Sequence, residues 1–194
     1  MSFRPKYVIF MGICRVLKVV FWLEALLSPF SMKVRLKRSQ EILKSEQDTT
    51  LVIVDMQQEF AASALVLHHV MSEIDLALQN DWAVIILEYY NHSRTYDCIL
   101  ARAKKSRRFS VETKFTDGGG REVFAACRKL NLPTQRFRVC GVNTHACVSQ
   151  TVRNISRIFT HSMVLVVQKA CAHNLRQNNW PKFFRFKSFR VVPV

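Results

Sequence analysis

Three uninterrupted apolar runs constrain the fold of this 194-residue chain more than any other feature of its sequence. They are Leu51–Val54, Ala83–Leu87 and Met163–Val167. Apolar runs of this kind, without a polar alternation, are typical of strands buried on both faces of a parallel sheet. Segments with helical periodicity lie between them. This alternation predicts an α/β domain, a three-layer α/β/α fold with a mostly parallel, Rossmann-like sheet of five to six strands.

Weaker patterns complete the alternation of strands and helices. Two further strands are predicted inside the domain, at Ser110–Thr113 and Phe137–Cys140, and an edge strand at Phe189–Val192 that Pro193 would end. Helices are predicted at Ala62–Gln79, at Tyr96–Lys105, at Arg121–Leu130, and from Cys147 to about Phe159. The apolar face of the first helix is expected to comprise Leu67, Val70, Ile74 and Leu78.

The expected domain covers residues 47–194 and includes an atypical basic C-terminal tail, whereas residues 1–46 are expected to be a basic and apolar extension. The apolar stretch Tyr7–Leu27 is interrupted by Arg15, Lys18 and Glu24, which is unfavourable for a transmembrane helix. It also lacks a convincing small-residue cleavage site for a signal peptide. Two interpretations stay open, an amphipathic helix at a membrane surface or a true start of the protein at Met32.

The formal net charge of +15 is concentrated at the two ends of the chain. Residues 1–45 contain 9 Lys and Arg against 2 acidic residues, and residues 175–194 contain 5 against none. The central residues 46–174 contain 15 against 12, a net charge of only +3. Basic termini of this kind can bind a nucleic acid or an anionic membrane through non-specific electrostatics. A solvated tail without a partner is the alternative.

Cys147 occupies a position that favours a nucleophilic thiolate. It follows an apolar segment that ends at Gly141 and opens an apolar-periodic stretch, with Thr144 three residues earlier as a possible helix cap. A thiol at the N-terminus of a helix faces unpaired N–H groups and the positive end of the helix dipole. Such a position lowers a cysteine pKa from about 8.5 into a range of about 3.5–7.5. The alternative is a small buried residue in a tight strand-to-helix connection.

Two charged residues stand at comparable points of the chain. Asp55 directly follows the run Leu51–Val54, and open α/β sheets bind ligands beside the carboxyl ends of their strands. Asp55 could equally cap the following helix. Lys114 follows a short strand-like stretch and precedes the turn Gly118–Gly120, where a solvated surface charge is the alternative.

Together these segments resemble the isochorismatase-like cysteine hydrolases, a superfamily that includes nicotinamidases and N-carbamoyl amide hydrolases. The resemblance runs from about Thr50 to about Cys171. The matching positions, in chain order, are Asp55, Met56, Gln57 and Phe60 of the Asp-Met-Gln-x-x-Phe pattern, the lysine Lys114, the nucleophile motif Gly141, Val142, Asn143, Thr144, Cys147 and Val148, and the strand Val164–Cys171. The chain departs from the superfamily pattern at Lys169, where an aspartate is usual.

The resemblance implies a catalytic group of three residues. Cys147 would attack a carbonyl carbon and form a thioester, Asp55 would accept and return the thiol proton, and Lys114 would stabilise the ionised states. The implied oxyanion donors are the backbone N–H groups of Asn143 and Cys147, with a cis bond between Val142 and Asn143. The implied function is a metal-independent cysteine hydrolase that cleaves a C–N bond of a small amide or carbamoyl compound.

The resemblance to this superfamily also bears on metal binding and on the substrate pocket. Nicotinamidases of this superfamily carry an Asp-x-His motif, but in this chain Tyr90 stands two residues before His92. The other histidines show no convincing ligand spacing, so neither a catalytic metal nor a cofactor is expected. Phe60 and Tyr90 are expected to line the substrate pocket, and simple packing is their alternative role.

The six cysteines include no Cys-x-x-Cys pair, which argues against a zinc ribbon or a thioredoxin-type site. Without a secure secretion signal, a reducing cytoplasm is the expected location. Because pocket residues in this superfamily often come from a neighbouring subunit, the resemblance also implies a homo-oligomer. The alternative function is a catalytically inactive, hydrolase-like module that binds a ligand or partner, and Lys169 together with the atypical C-terminus motivates it.

Overall fold

The computed structural model describes residues 49–173 and 189–192, so the predicted extension of residues 1–46 and most of the basic tail lie outside the described residues. The strands within these ranges are β1 Thr49–Val54, β2 Ala83–Tyr89, β3 Phe109–Lys114, β4 Arg136–Val142, β5 Met163–Ala172 and β6 Phe189–Val192. The α-helices are α1 Ala61–Gln79, α2 Asp97–Ala103, α3 Gly120–Lys129 and α4 Ser149–Ile158. A π-helical turn, Thr144–Val148, directly precedes α4.

The described strands form one parallel sheet in the order β3-β2-β1-β4-β5-β6. β1 lies between β2 and β4, with Thr50 opposite Ala83 on one side and Phe137 on the other. The chain first builds the sheet outward from β1 to β3 and then returns to add β4 beside β1. The carboxyl ends of β1 and β4 therefore flank the topological switch point, where ligands bind in folds of this class.

Helices cover the sheet on both faces. α1 and α2 pack together, and α1 contacts β1, β2, β4 and β5, while α3 packs against α4 and contacts β2 and β3. By length and composition alone α1 could span a membrane. However, Val66, Val70, Ile74 and Ala77 of this helix are all buried against the rest of the domain. Burial of each larger apolar side chain stabilises the fold by about 1.5–3 kcal/mol, which accounts for the apolar character of α1 as a core helix.

The predicted fold class is confirmed, and the differences from the predicted elements are local. β5 continues to Ala172, beyond the predicted end at Val167, because its pairing with β4 shifts from Val166 opposite Val139 to Cys171 opposite Gly141. In α1, Val70 and Ile74 are buried as expected, but Leu67 and Leu78 are only partly buried. Their places in the core are taken by Val66 and Ala77, so the buried stripe is shifted by one residue.

Arg138 is a charged residue inside the apolar strand β4, and it has a buried partner. Its Nε and Nη2 donate to the carboxylate of Glu73 on α1, with an Nη2–Oε1 distance of 3.0 Å. Both residues are buried in the protein. This bidentate ion pair explains how the strand accommodates a guanidinium group that would otherwise be strongly destabilising.

Candidate active site

Asp55 leaves the sheet at the end of β1 in an unusual conformation. Its φ of 54° lies in the left-handed region, which few residues other than glycine adopt. Its backbone N–H donates to the carbonyl of Leu87 in β2 at 3.0 Å, and its side chain is fully buried. Phe60, not Asp55, stands directly before α1. Asp55 is therefore a buried residue at the strand end and does not cap the helix.

Two further residues with positive φ lie at the end of the neighbouring strand β4. Gly141 has a φ of 129°, and a Cβ atom there would lie 2.0 Å from the carbonyl oxygen of Val54. Only glycine lets β4 approach β1 this closely. Asn143 has a φ of 59°, which asparagine tolerates better than most residues. The described residues contain no cis peptide bond, so the expected cis bond between Val142 and Asn143 is wrong, and the positive-φ residues redirect the chain instead.

Cys147 lies in the π-helical turn and not in the first turn of an α-helix. The N–H groups of Ala146 and Val148 both donate to the carbonyl of Asn143, at 2.9 and 3.3 Å. Thr144 does not act as the predicted cap, because its side chain is fully buried and its Oγ1 has no hydrogen-bond partner among the described residues. Single π-helical turns within helical segments are frequent at functional sites.

Lys114 meets Asp55 inside the protein. Its Nζ lies 3.1 Å from Oδ2 of Asp55, and neither side chain is exposed. Nζ also donates to the carbonyl of Thr116 at 3.1 Å and lies 4.1 Å from the centroid of the Tyr89 ring. A buried ammonium group needs such partners because its desolvation is costly. The alternative of a solvated surface charge therefore does not hold for Lys114.

The thiol of Cys147 is also buried, with the residue 3% exposed, and it interacts with the side chain of Asp55. Burial is the main cause that raises the pKa of Cys147 to about 12, and the nearby charge of Asp55 acts in the same direction. The expected lowering of the thiol pKa is therefore wrong. Desolvation of the thiolate outweighs the favourable charge of Lys114 in this packed site.

The carboxyl group of Asp55 has an increased affinity for a proton. Burial raises its pKa from the ordinary value of 3.8, while the charge of Lys114 acts in the opposite direction. Although Oδ2 lies 3.1 Å from the lysine Nζ, neither carboxylate oxygen receives a well-aligned hydrogen bond from a described residue. The site thus pairs a protonated thiol with a carboxylate of increased basicity, which suits general-base chemistry.

Asp117 was not among the residues predicted from the sequence, but the structure places it beside the thiol. This residue is exposed in the loop between β3 and α3, and its Oδ1 lies 3.9 Å from Sγ of Cys147. In the same loop, the N–H of Gly119 donates to Oγ1 of Thr151 in α4 at 3.0 Å. The available signal was that Asp117 follows Lys114 by only three residues.

Gln57 fixes the loop that follows β2 beside the candidate site. Its fully buried side chain donates from Nε2 to the carbonyls of Tyr89 and Ser93, at 3.1 and 2.5 Å. Its Oε1 accepts the N–H of Tyr89 at 2.8 Å. These bonds hold the residue whose ring faces Lys114. Gln57 therefore supports the geometry of the site, whereas the sequence identified it only as part of the resemblance.

The two predicted pocket residues lie in different surroundings. Phe60 is partly buried, and its ring centroid lies 4.7 Å from that of His92. His92 in turn places Nδ1 2.6 Å from Oε2 of Glu59. Tyr90 is 49% exposed and packs on the exposed ring of Phe115, with centroids 4.7 Å apart. The contact of Phe60 and Tyr90 with a substrate stays a prediction.

Within residues 49–173 and 189–192, no three His, Cys, Asp or Glu side chains are grouped so that they could hold a metal ion. Two cavities of about 410 and 360 Å³ lie at the opposite, amino-terminal edge of the sheet, and both are lined in part by Trp82. Neither cavity includes Asp55, Lys114 or Cys147. These cavities are therefore separate from the group of candidate catalytic residues.

No family model and no curated protein matches the sequence, but solved structures match the fold. The N-carbamoylsarcosine amidase from Thermoplasma acidophilum is similar at 18% identity and a TM-score of 0.58, over 74% of this chain and 95% of that one. The nicotinamidase from Staphylococcus aureus is similar at 14% identity and 0.57, over 67% and 86%. The MAR1 ribonuclease from Caenorhabditis elegans is similar at 18% identity and 0.57, over 66% of each chain. These matches show the fold that the sequence resemblance implied.

Proposed function

We propose that this chain, which has the fold of isochorismatase-family proteins, is a metal-independent cysteine hydrolase that cleaves a C–N bond of a small amide or carbamoyl compound. The observation that supports this most is the meeting of Asp55, Lys114 and Cys147 at the carboxyl edge of the sheet. All three come from separate segments, and none is more than 3% exposed. Together they supply the nucleophile, the proton acceptor and the cation that acyl transfer to a thiol requires.

In the first half-reaction, the carboxylate of Asp55 accepts the thiol proton while Sγ of Cys147 attacks the substrate carbonyl carbon. The ammonium group of Lys114 stabilises the ionised states as charge moves between these groups. The tetrahedral intermediate then collapses, the C–N bond breaks, and the proton passes from Asp55 to the leaving amine. The product of this step is a thioester on Cys147.

In the second half-reaction, water attacks the thioester and Asp55 accepts its proton, which releases the acid and restores the thiol. We propose the N–H groups of Asn143 and Cys147 as donors to the tetrahedral oxyanion. The peptide units around them are held in place because the carbonyl of Asn143 accepts two hydrogen bonds from the π-helical turn. Donors fixed in this way stabilise developing charge without a cost of reorganisation.

The substrate pocket and the assembly belong to the same proposal. Phe60 and Tyr90 would form pocket walls, and a homo-oligomer in the cytoplasm would complete the site. The exposed aromatic pair Tyr90 and Phe115 supports a neighbouring subunit, because such a pair loses apolar exposure when it is covered. Contact of the basic termini with a nucleic acid or a membrane concerns residues outside the described ranges and stays a prediction.

A catalytically inactive, hydrolase-like binding module is the second candidate function. Two observations favour it. A pKa of about 12 keeps Cys147 protonated in the resting protein at neutral pH. Lys169, exposed on β5, stands where the superfamily pattern has an acidic residue. Such a module would keep the fold and the buried charge pair without turnover.

Turnover by the full-length protein of a panel of small amides and carbamoyl compounds, followed as release of amine or ammonia, tests the proposal. We expect hydrolysis that persists in the presence of EDTA and that Cys147→Ala abolishes while the variant stays folded. Hydrolysis that continues in Cys147→Ala would reject the proposed mechanism. A folded protein that hydrolyses no member of the panel would favour the binding module.

A further inference from the structure

The thiol of Cys147 lies between two carboxylates of very different character. Asp55 is fully buried on one side and is paired with Lys114 at 3.1 Å. Asp117 is exposed, and its Oδ1 lies 3.9 Å from Sγ. Because an exposed group touches a buried thiol, Asp117 stands on the side from which a substrate must approach. From this geometry we infer that Asp117 is a specificity-determining residue that selects substrates carrying a positive charge beside the scissile C–N bond.

This inference rests on the proposed function, since it names the substrate class of the same site. The charge of Asp117 is available to a ligand, because no ion pair joins it to a Lys, Arg or His among the described residues. The nearby cation, Lys114, is already paired with Asp55. An ammonium or guanidinium group of a substrate would therefore supply the missing partner.

The distance from Asp117 to the thiol sets the range of this interaction. For attack, the substrate carbonyl carbon must come within about 3–3.5 Å of Sγ. Substituents one or two bonds from that carbon then lie within a few ångströms of the Asp117 carboxylate. At such separations unit charges interact appreciably even near a solvated surface. A cationic substituent is attracted, a neutral one is nearly indifferent, and an anionic one is repelled.

The loop that carries Asp117 is anchored on both sides of this residue. On one side, the carbonyl of Thr116 accepts a hydrogen bond from Nζ of Lys114 at 3.1 Å. On the other, the N–H of Gly119 donates to Oγ1 of Thr151 at 3.0 Å. These bonds hold the carboxylate at a fixed position relative to the thiol, so a substrate does not have to order the loop when it binds.

The same contact links binding to activation of the nucleophile. The charge of Asp117 is one of the causes that raise the pKa of Cys147. A cation bound beside Asp117 offsets this charge and makes the thiolate easier to form. A substrate of the correct charge would therefore both bind more tightly and meet a more reactive nucleophile, whereas a neutral amide would do neither.

The test compares two alkylating reagents of similar size on the full-length protein at low ionic strength. The cationic 2-bromoethylammonium ion and the neutral iodoacetamide each form an S–C bond with the thiolate and release halide. Peptide mapping by mass spectrometry follows Cys147, with the exposed Cys98 as a reference in the same molecule. We expect Asp117→Asn to lower the cationic-to-neutral rate ratio at Cys147 by about fivefold or more. Added salt should lower the ratio of the wild type as well.

Asp81→Asn is the matched control, because Asp81 is an exposed aspartate in a left-handed conformation that asparagine accepts. It should leave the ratio unchanged. An unchanged ratio in Asp117→Asn, or a wild-type ratio insensitive to salt, would overturn the inference. A charge preference without hydrolysis of any amide would reject the proposed function alone, and equal turnover of cationic and neutral amides would reject this inference alone.

Discussion

Nζ of Lys114 lies 3.1 Å from Oδ2 of Asp55, and both side chains are completely shielded from solvent at the carboxyl edge of the sheet. A buried pair of this kind is seldom an efficient source of stability, because desolvation of two charges offsets much of their attraction. Its position beside Cys147 instead explains its presence. The charge of the lysine opposes the rise in the carboxyl pKa that burial causes, and that carboxyl group is the one placed to accept the thiol proton.

Replacement of Lys114 by an uncharged residue should lower both the stability of the protein and its turnover of amides. In Lys114→Met, Asp55 remains buried without a partner, so the free energy of unfolding should fall by about 3–5 kcal/mol and turnover should be lost. Urea unfolding and amide hydrolysis measure these two effects.

The double variant Asp55→Asn/Lys114→Met should recover part of the stability and none of the activity. Glu73→Gln breaks a second buried ion pair, that of Glu73 with Arg138, and should lower stability while turnover per folded molecule is kept. Unchanged stability in Lys114→Met would contradict this assignment.

The pH dependence of kcat/KM should report the ionisation of Asp55. The residue must be ionised to accept the thiol proton, and its pKa lies above the ordinary 3.8 because of burial. Activity should therefore rise with pH along an acid limb centred above pH 3.8. A limb at or below that value would contradict the assignment of Asp55 as the base.

The same raised pKa makes a prediction for stability. The folded protein binds the Asp55 proton more tightly than the unfolded chain does, so the contribution of this group is fully present below pH 3.8 and is lost as pH rises through the folded pKa. The difference in unfolding free energy between the wild type and Asp55→Asn, measured across this range, should change in the corresponding direction. A pH-independent difference would argue against the raised pKa.

Gly141 should be the glycine least tolerant of substitution near the site. A Cβ atom at this position would lie 2.0 Å from the backbone oxygen of Val54, and the φ of 129° is itself unfavourable for alanine. Gly141→Ala should lower the free energy of unfolding by more than about 2 kcal/mol, as measured by urea unfolding. Gly118→Ala is the control, because its Cβ would meet Nδ2 at the end of the flexible Asn154 side chain. Equal effects of the two substitutions would contradict the close approach of β1 and β4.

The sequence was sufficient for most of the fold, because its strands are apolar runs that only a sheet covered on both faces can bury. The runs Leu51–Val54 and Ala83–Leu87 lie inside β1 and β2 as expected. The extension of β5 to Ala172 was not predictable, since it depends on an irregular pairing with β4 that local periodicity does not encode. The tolerance of Arg138 in β4 likewise depends on a distant partner, Glu73 of α1.

The residues of the candidate site were predictable from the sequence, but the burial of these residues and their neighbours in the folded protein were not. The order of the motifs along the chain singled out Asp55, Lys114 and Cys147, and the structure brings these three together. The predicted direction of the thiol pKa shift was wrong, because burial by packed neighbours is a property of the folded chain and not of a local motif. Asp117 was missed for a similar reason, since only the anchoring of its loop places it beside the thiol.

Detection of the covalent intermediate tests the central claim most directly. The full-length protein would be mixed with an amide that it hydrolyses, quenched in acid within the first turnovers, and examined by intact-mass and peptide mass spectrometry. We expect the mass of the acyl group on Cys147, its absence in Cys147→Ala, and its loss when the quenched sample is treated with hydroxylamine, which cleaves thioesters. Product formation without an adduct under these conditions, or an adduct on another cysteine such as Cys98, would contradict the mechanism.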